Sequence, residues 1–278
     1  MNRHEFNHEA MATTFTVVIA DHPRDYARQA ATAAFRELDR LENELSRYVE
    51  SSDIARANRI GRGETISIGD DALQCLLLSA EVAAVTGRAF DITHASDFGS
   101  TPSAEAVAFT VDPSAHTLTS CIPRLHLDLG AIGKGYALDQ LAALLAEWGI
   151  TTACLSGGGS TVLALDAPSD CPGWPVGIGE GDSHRTLSLT HRALSGSGLA
   201  VQGEHIADPR TRSRPDRFDR TWALAPNAAL SDALSTAFFV SSDTEIAHLC
   251  TLLPNIGAAW IQRDSTLATA GSLSLLIT

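Results

Sequence analysis

The sequence HLDLGAIGKGYALD, residues 126–139, reads as a short apolar strand, a glycine-rich turn and the start of a helix. The turn carries Gly130 and Gly133, and Lys134 and Gly135 open the helix. Such an element can direct backbone N–H groups and a lysine toward an anion, because a helix N-terminus carries partial positive charge. The spacing is neither a Walker loop nor Gly-x-Gly-x-x-Gly. A tight strand-to-helix turn without a ligand explains these residues equally well.

Outward from this stretch, helical and strand-like segments alternate along all 278 residues. Apolar periodicity predicts helices at Asp25–Leu45, Asp70–Thr86, Gly135–Trp148 and Ser231–Val240. Strands are predicted at Met11–Ala20, Val107–Val111, His116–Thr119, 150–157, 161–166, Trp174–Ile178, Thr186–Leu189, Trp222–Ala225, Ala258–Ile261 and Ser272–Ile277. The polar segment 46–58 is expected to be irregular. This order predicts an α/β (α+β) fold, with residues 1–278 forming a single compact domain of two interlocked α/β halves with mixed sheets.

Composition restricts the class of protein. The formal net charge is −13 without any basic run, so nucleic acid is not an expected partner. Five scattered cysteines without Cys-x-x-Cys spacing argue against a disulfide framework and a zinc site. No apolar run is long enough for a membrane span. The start of the sequence resembles neither a signal peptide nor a lipobox, which predicts a cytoplasmic protein.

A second segment of chemical interest is HIADPRT, residues 205–211. His205 carries the side chain that most often acts as a general base near pH 7. Asp208 and Pro209 are also typical of a turn. From these residues alone, a structural histidine before an Asp-Pro turn is the more common outcome.

A third segment is SDALSTA, residues 231–237. On a helix, Asp232 and Thr236 share one face because they are four positions apart. A carboxylate together with hydroxyl or carbonyl oxygens suits Mg²⁺, which prefers oxygen ligands and retains waters for a substrate phosphate. The alternative is that Ser231 or Asp232 caps the helix, which requires no metal.

Taken together and in order, these segments resemble the signature of the ApbE family of FAD:protein FMN transferases. The family's motifs match Asp128-Leu129-Gly130, Lys134-Gly135-Tyr136-Ala137, Asp139, His205 to Thr211 and Asp232 to Ala237. Weaker matches are Met11 to Thr14, Leu45 to Tyr48, Asn58 and Gly87 to Thr93. The resemblance covers residues from about 10 to about 245 and implies the fold and the activity of that family.

The resemblance implies a Mg²⁺-dependent reaction with FAD as substrate. Asp232 and Thr236 would bind the metal, helped by backbone carbonyl oxygen from the Ala131–Gly133 turn, with Ala131 and Gly133 as the ligands. His205 would remove the proton from a threonine or serine hydroxyl of an acceptor flavoprotein. That oxygen would attack the FMN phosphorus, and AMP would leave.

The resemblance also assigns residues to the cofactor. Tyr48 would stack on the isoalloxazine, Met11 would line the pocket and Asp139 would hold a ribose hydroxyl. The residues that the resemblance implies for cofactor binding are Met11, Tyr48, Asp91, Lys134, Asp139 and His205. A half-buried structural aromatic is the alternative for Tyr48.

Departures from the family pattern leave other functions open. Ser195–Ala200 replaces a common Ser-Gly-Asp-Tyr-Glu-Arg, so a carboxylate and an aromatic are missing. Ser160 stands where Asn or Glu is usual, and Arg212 stands where glycine is usual. A changed acceptor side would suit an FAD pyrophosphatase that produces FMN and AMP with water. A non-catalytic FAD-binding protein is the third possibility.

Overall fold

The computed structural model describes residues 2–98, 107–198 and 207–276. The helices are α1 Arg24–Leu45, α2 Asp53–Ala57, α3 Asp70–Val85, α4 Gly133–Glu147, α5 Ala228–Val240 and α6 Asp243–Leu252. The strands are β1 Arg3–Ala10, β2 Thr13–Ala20, β3 Thr65–Ser67, β4 Phe109–Asp112, β5 Thr117–Ser120, β6 Ala153–Gly157, β7 Thr161–Ala164, β8 Trp174–Ile178, β9 Arg185–Leu189, β10 Arg192–Gly198, β11 Phe218–Ala225, β12 Gly257–Gln262 and β13 Leu267–Gly271. This content confirms the predicted α/β (α+β) class.

An eight-stranded sheet forms the centre of the fold. Its strand order is β1-β2-β6-β7-β10-β11-β12-β13, and it is accompanied by a three-stranded sheet, β3-β5-β4, and the β8–β9 hairpin. All strand pairings among the described residues are antiparallel, where mixed sheets were expected. The prediction differed because helices alternating with strands suggested parallel crossovers, whereas most neighbouring strands here are joined as hairpins.

The two faces of the large sheet have different coverings. Helices α1, α4 and α5 cover one face and share most of the apolar core with it. The β8–β9 hairpin covers the other face, where Trp174 and Leu187 belong to a second apolar cluster with Leu194 and Trp222. Since side chains alternate along a strand, the helix-facing positions of β10 after Ala193 are serines rather than apolar residues. The polar site described below lies at this point.

The helices follow the apolar periodicity of the sequence. The buried residues of α1 recur at three- and four-residue spacing: Ala27, Ala30, Ala31, Ala34, Leu38, Leu41 and Leu45. Helix α3 ends at Val85, one residue before the predicted end, and Gly87 follows with φ +56°, as is common after a helix. Helix α4 begins two residues earlier than predicted, at Gly133.

The predicted first strand, Met11–Ala20, is one half of a hairpin. Strand β1 pairs with β2 from Arg3↔Ala20 to Ala10↔Thr13, which leaves Met11 and Ala12 as the turn. Both turn residues have positive φ, 51° and 57°, as in the type I′ turns of two-residue hairpins. Strand β1 was not predicted, because its sequence, RHEFNHEA, is mostly polar, as suits a strand at the edge of a sheet.

Three further segments differ from the prediction. The closing strand is Leu267–Gly271, and the predicted Ser272–Ile277 begins with a 3-10 turn instead. Strand β10 was not predicted because RALSGSG has low strand propensity, and its pairing with strands on both sides stabilises it. The segment expected to be irregular contains the short helix α2, which Ser52 caps.

Candidate functional site

Helices α4 and α5 approach each other closely at Gly135. A Cβ at this residue would lie 2.2 Å from the carbonyl oxygen of Ala228 and 2.8 Å from Cα of Ala229. No side chain fits there, so the glycine of the motif is required by helix packing. The start of α4, with Lys134, is thereby held against the first turns of α5.

Asp232 lies at the contact between these helices and is 1% exposed. Its Oδ2 accepts hydrogen bonds from Gly135 N (3.2 Å) and Lys134 Nζ (3.4 Å), and its Oδ1 accepts one from Thr161 Oγ1 (3.1 Å). Asn227, not Ser231 or Asp232, caps α5 by accepting from Leu230 N. The capping interpretation is therefore wrong, and the buried carboxylate needs another explanation.

Thr236 lies one helical turn beyond Asp232 on the same side of α5. Its hydroxyl is 3.3 Å from Ser197 Oγ, which is also 2.9 Å from Ser235 Oγ. Thr161, Ser195, Ser197 and Thr221 are all 0% exposed on the helix-facing side of β7, β10 and β11. These four residues form a hydroxyl floor beneath α5. Spacing along the sequence gave no sign of this floor, because its members lie on three different strands.

The oxygen atoms in this region fit the Mg²⁺ that the resemblance implies. The Tyr136 N–H donates to the Ile132 carbonyl as in an ordinary helix, but the Gly135 N–H is directed to Asp232 rather than to the Ala131 carbonyl. The Ala131 carbonyl thus lacks its usual helical donor, which makes it available to a cation. Asp232, Thr236 and Ala131 together supply the carboxylate, hydroxyl and carbonyl oxygens that Mg²⁺ prefers.

Gly133 is a weaker candidate for the same role. It is the first residue of α4, so its carbonyl is placed to accept the amide four residues further on. No group of three or more His, Cys, Asp or Glu side chains with metal-binding geometry occurs within residues 2–98, 107–198 and 207–276. A cation here would thus depend on Asp232 together with neutral oxygens and a substrate phosphate.

A cavity of about 170 Å³ opens beside this oxygen site. Its lining includes Asp91, Asp128, Ala131, Pro209 and Thr236, which brings together residues from four predicted motifs. Asp91 is paired with Arg88 (2.5 Å) and also accepts from the backbone and hydroxyl of Thr93. The cavity therefore joins the predicted cofactor residue Asp91 to the predicted metal residues.

His205 lies outside the described residues, so its predicted role as base stays a prediction. The next described residues, Ala207 and Pro209, line the cavity. Asp208 forms a turn by accepting from Arg210 N (2.9 Å), and Arg210 also pairs with Glu245. The Asp-Pro turn expected from the sequence is therefore present at the cavity wall.

Tyr48 is 79% exposed, so it is not the half-buried structural aromatic considered above. The Arg47 guanidinium packs over its ring at 4.6 Å from the centroid. The same guanidinium reaches Asp128 Oδ2 (3.3 Å) and His126 Nε2 (3.2 Å). Arg47 thus connects the exposed aromatic to a carboxylate of the cavity, whereas the sequence named Arg47 only within the weaker match Leu45 to Tyr48 and gave it no role.

Two predicted cofactor residues lie away from the cavity lining. Met11 occupies the β1–β2 turn, where its N–H donates to Glu42 Oε1 (2.8 Å). Asp139 accepts from Ala228 N (2.8 Å) and Ala229 N (2.9 Å), so both of its oxygens bind the N-terminus of α5. Asp139 therefore fixes α5, and hence Asp232, against α4, and its assignment to a ribose hydroxyl stays a prediction.

Because of Asp139, the free energy of unfolding should decrease as the pH rises, which is the opposite of the usual effect of a carboxylate. Burial raises the pKa of its carboxyl to about 6, although the two amides oppose the shift. The pKa of Asp139 is higher in the folded state than in the unfolded state. Its stabilising contribution to the free energy of unfolding is therefore present below pH about 4 and is lost as the pH rises through about 6. Urea unfolding of the wild type and Asp139→Asn should show the wild type losing more stability over this window. Parallel curves would contradict the assignment.

Strand β10 offers a matched pair of substitutions in the hydroxyl floor. Ser195 Oγ is buried without a hydrogen-bond partner, whereas Ser197 Oγ contacts two hydroxyls. Because an unsatisfied buried hydroxyl is costly, Ser195→Ala should raise the free energy of unfolding by about 1 kcal/mol, and Ser197→Ala should lower it by about 1 kcal/mol. Urea denaturation without flavin or Mg²⁺ measures both. If both substitutions changed the free energy of unfolding in the same direction, the two hydroxyls would have equivalent environments.

Two departures from the family pattern, Ser160 and Gly198, lie on the opposite face of the sheet, whereas Ser197 lies in the hydroxyl floor. Gly159, Ser160, Gly196 and Arg220 line a second cavity of about 80 Å³ between the sheet and the β8–β9 hairpin. A Cβ at Gly198, where members often carry an aromatic, would lie 2.7 Å from Arg220 Cγ. Arg220 therefore fills the space beside this glycine. Leu199 and Ala200 lie outside the described residues.

The chain is similar in sequence to known proteins over most of its length. The family model described as "ApbE family" matches residues 11–260. The FAD:protein FMN transferase of Klebsiella pneumoniae (strain 342) is 25% identical over 262 residues, which cover 81% of this chain and 74% of the relative. That of Treponema pallidum (strain Nichols) is 30% identical over 182 residues, covering 56% and 49%.

Solved structures share the fold over nearly the whole chain. The flavin transferase ApbE from Vibrio cholerae superposes with a TM-score of 0.85 at 19% identity and covers 99% of both chains. The apo flavinyl transferase ApbE of Pseudomonas stutzeri has a TM-score of 0.84 at 20% identity, covering 99% of this chain and 97% of that one. Among the described residues, no helix has the length and apolar character needed to cross a membrane.

Proposed function

Because the chain belongs to the ApbE family, we propose that it is a Mg²⁺-dependent FAD:protein FMN transferase. It attaches FMN through a phosphoester bond to a threonine or serine of an acceptor protein and releases AMP. The observation that carries this proposal is the buried carboxylate of Asp232 inside α5, with Thr236 and Ala131 beside it at the cavity. We also propose that residues 1–278 form a single domain, since the large sheet includes strands from β1 to β13.

Asp232, Thr236 and the Ala131 carbonyl would hold the Mg²⁺, and Gly133 stays a further proposed ligand. When bound, the metal supplies positive charge that neutralises the FAD pyrophosphate during phosphoryl transfer. Lys134, 15% exposed at the start of α4, is placed to bind a pyrophosphate oxygen together with the helix N-terminus. These residues would orient the phosphorus for attack.

Proton transfer at the acceptor is the second part of the mechanism. His205 would accept the proton of the threonine or serine hydroxyl, and that oxygen would form the new bond to the FMN phosphorus. The bond between this phosphorus and the bridging oxygen would break, so that AMP leaves with that oxygen. Positioning supplies much of the acceleration in such transfers.

The flavin end of the substrate would lie toward Tyr48. The exposed ring offers a stacking surface, and Arg47 holds it by packing over its other side. Asp91 at the cavity and Met11 in the strained turn remain the other proposed cofactor contacts.

The test is incubation with FAD and Mg²⁺, with and without a peptide that carries an acceptor threonine. Intact-mass spectrometry of the peptide and quantification of AMP report the two products separately. An FMN-phosphate adduct that requires Mg²⁺ supports the transferase. AMP release without an adduct would instead identify an FAD pyrophosphatase, and bound FAD without either product would identify a flavin-binding protein.

A further inference from the structure

The chain contains 20 lysine and arginine residues in total. Lys134 is the only lysine among them, and all the others are arginines. The two residue types differ in shape, since an ammonium is a compact, strongly hydrated point charge and a guanidinium is a planar fork. The one compact cationic side chain in the protein therefore lies at the proposed metal site.

The Lys134 ammonium contacts two oxygen atoms. Its Nζ lies 3.4 Å from Asp232 Oδ2 and donates to the Gly130 carbonyl at 3.3 Å. These are a carboxylate of α5 and a carbonyl of the turn that precedes α4. The proposed Mg²⁺ ligands include the same carboxylate and the neighbouring carbonyl of Ala131, so the ammonium and a divalent cation would both use Asp232.

The two carboxylates that line the neighbouring cavity, Asp91 and Asp128, are also paired with basic side chains. Asp91 is matched by Arg88 (2.5 Å) and Asp128 by Arg47 (3.3 Å). Together with the pair of Lys134 and Asp232, this makes three acidic side chains and three basic ones. Among the described residues, a divalent cation by itself thus finds no unpaired carboxylate at Asp232 or in the lining of the cavity beside it.

We propose that the Lys134 ammonium competes with the divalent cation for Asp232, so that cation and dinucleotide bind as a coupled pair. The pyrophosphate brings the negative charge that the cavity lacks, and it gives the displaced ammonium a new partner. This inference rests on the proposed function, because it takes the site to be one for Mg²⁺ and FAD. It adds that the substrate is recognised as a cation–dinucleotide complex.

The decisive measurement is Mg²⁺ binding without any nucleotide, by isothermal titration calorimetry. Lys134→Gln removes the competing charge but keeps a hydrogen-bond donor, so it should bind Mg²⁺ at least about fivefold more tightly than the wild type, the lower end of typical coupling between sites. Arg56→Gln is the matched control, since it removes one positive charge beside Asp53, which lies outside the cavity lining. Its Mg²⁺ affinity should stay within about twofold of the wild type, because separate charges at a partly exposed site are screened.

A second readout uses the wild-type protein and remains informative if Lys134→Gln folds poorly. Protein labelled with ¹³C at the lysine ε-carbon gives one side-chain NMR signal, since the chain has a single lysine. Millimolar Mg²⁺ alone should leave this signal nearly unchanged. Mg²⁺ together with ADP, the probe for a nucleoside pyrophosphate, should shift it as the ammonium leaves Asp232.

Two results would overturn the proposal. One is equal Mg²⁺ affinity of the wild type and folded Lys134→Gln. The other is a lysine signal that responds to Mg²⁺ alone as fully as to Mg²⁺ with ADP. Both measurements are made without FAD turnover, so their failure is distinguishable from failure of the transferase assay. An active transferase with uncoupled cation binding would refute only this inference.

Discussion

Asp232→Asn should reduce the rate of FMN transfer by about a thousandfold, which corresponds to about 4 kcal/mol of lost stabilisation of the phosphoryl-transfer transition state. Asp232 is the one carboxylate among the proposed metal ligands, and its neutral isostere keeps the shape of a side chain that is 1% exposed. Mass-spectrometric rates of acceptor modification at saturating Mg²⁺ give the magnitude. Calorimetric Mg²⁺ affinity in the presence of ADP should fall in parallel.

Asp71→Asn is the control for removing a partly buried carboxylate. Asp71 accepts from Tyr136 Oη (2.7 Å) and Arg40 Nη2 (2.8 Å) on the α3 side of the core, outside the cavity lining. Transfer by this variant should remain within about twofold, because Asp71 is neither a proposed metal ligand nor part of the cavity lining. If Asp232→Asn kept wild-type activity and Mg²⁺ dependence, the metal would have to bind elsewhere.

The sequence predicted best those features that depend on a single helix. Asp232 and Thr236 are four residues apart in α5, so helical geometry alone predicted that they share a side. The helices with strong periodicity, such as α1, were predicted almost to the residue. In these cases local spacing determines the outcome, and tertiary structure only selects which face is buried.

Features that depend on contacts between distant segments could not be predicted in this way. Ser195 and Ser197 lie on a strand whose own residues do not favour one, and only pairing with β7 and β11 places them beneath α5. Asp139 was assigned to a ribose by resemblance, but it binds amides 89 and 90 positions away. Motif matching identifies which residues matter without showing what each of them contacts.

Gly135→Ala should show how strictly helix packing constrains the site. The added Cβ would lie 2.2 Å and 2.5 Å from the carbonyl oxygen and carbon of Ala228. Both are backbone atoms of α5, so no side-chain rotation relieves the clash and the helices must separate. We expect a loss of about 4 kcal/mol in the free energy of unfolding, at the upper end for overpacking. Since natural domains have only about 5–15 kcal/mol in total, the variant should also be poorly soluble.

Gly133→Ala, on the same helix, is the matched control. Its nearest neighbour would be Leu129 Cβ at 3.8 Å, an ordinary contact, and its backbone carbonyl is retained. Alanine also favours the helix over glycine by up to about 1 kcal/mol, so stability should be equal or slightly higher. Urea denaturation of both variants tests the difference. If Gly135→Ala were as stable as Gly133→Ala, the helices would tolerate separation, and Gly135 N–H would not be needed to hold Asp232.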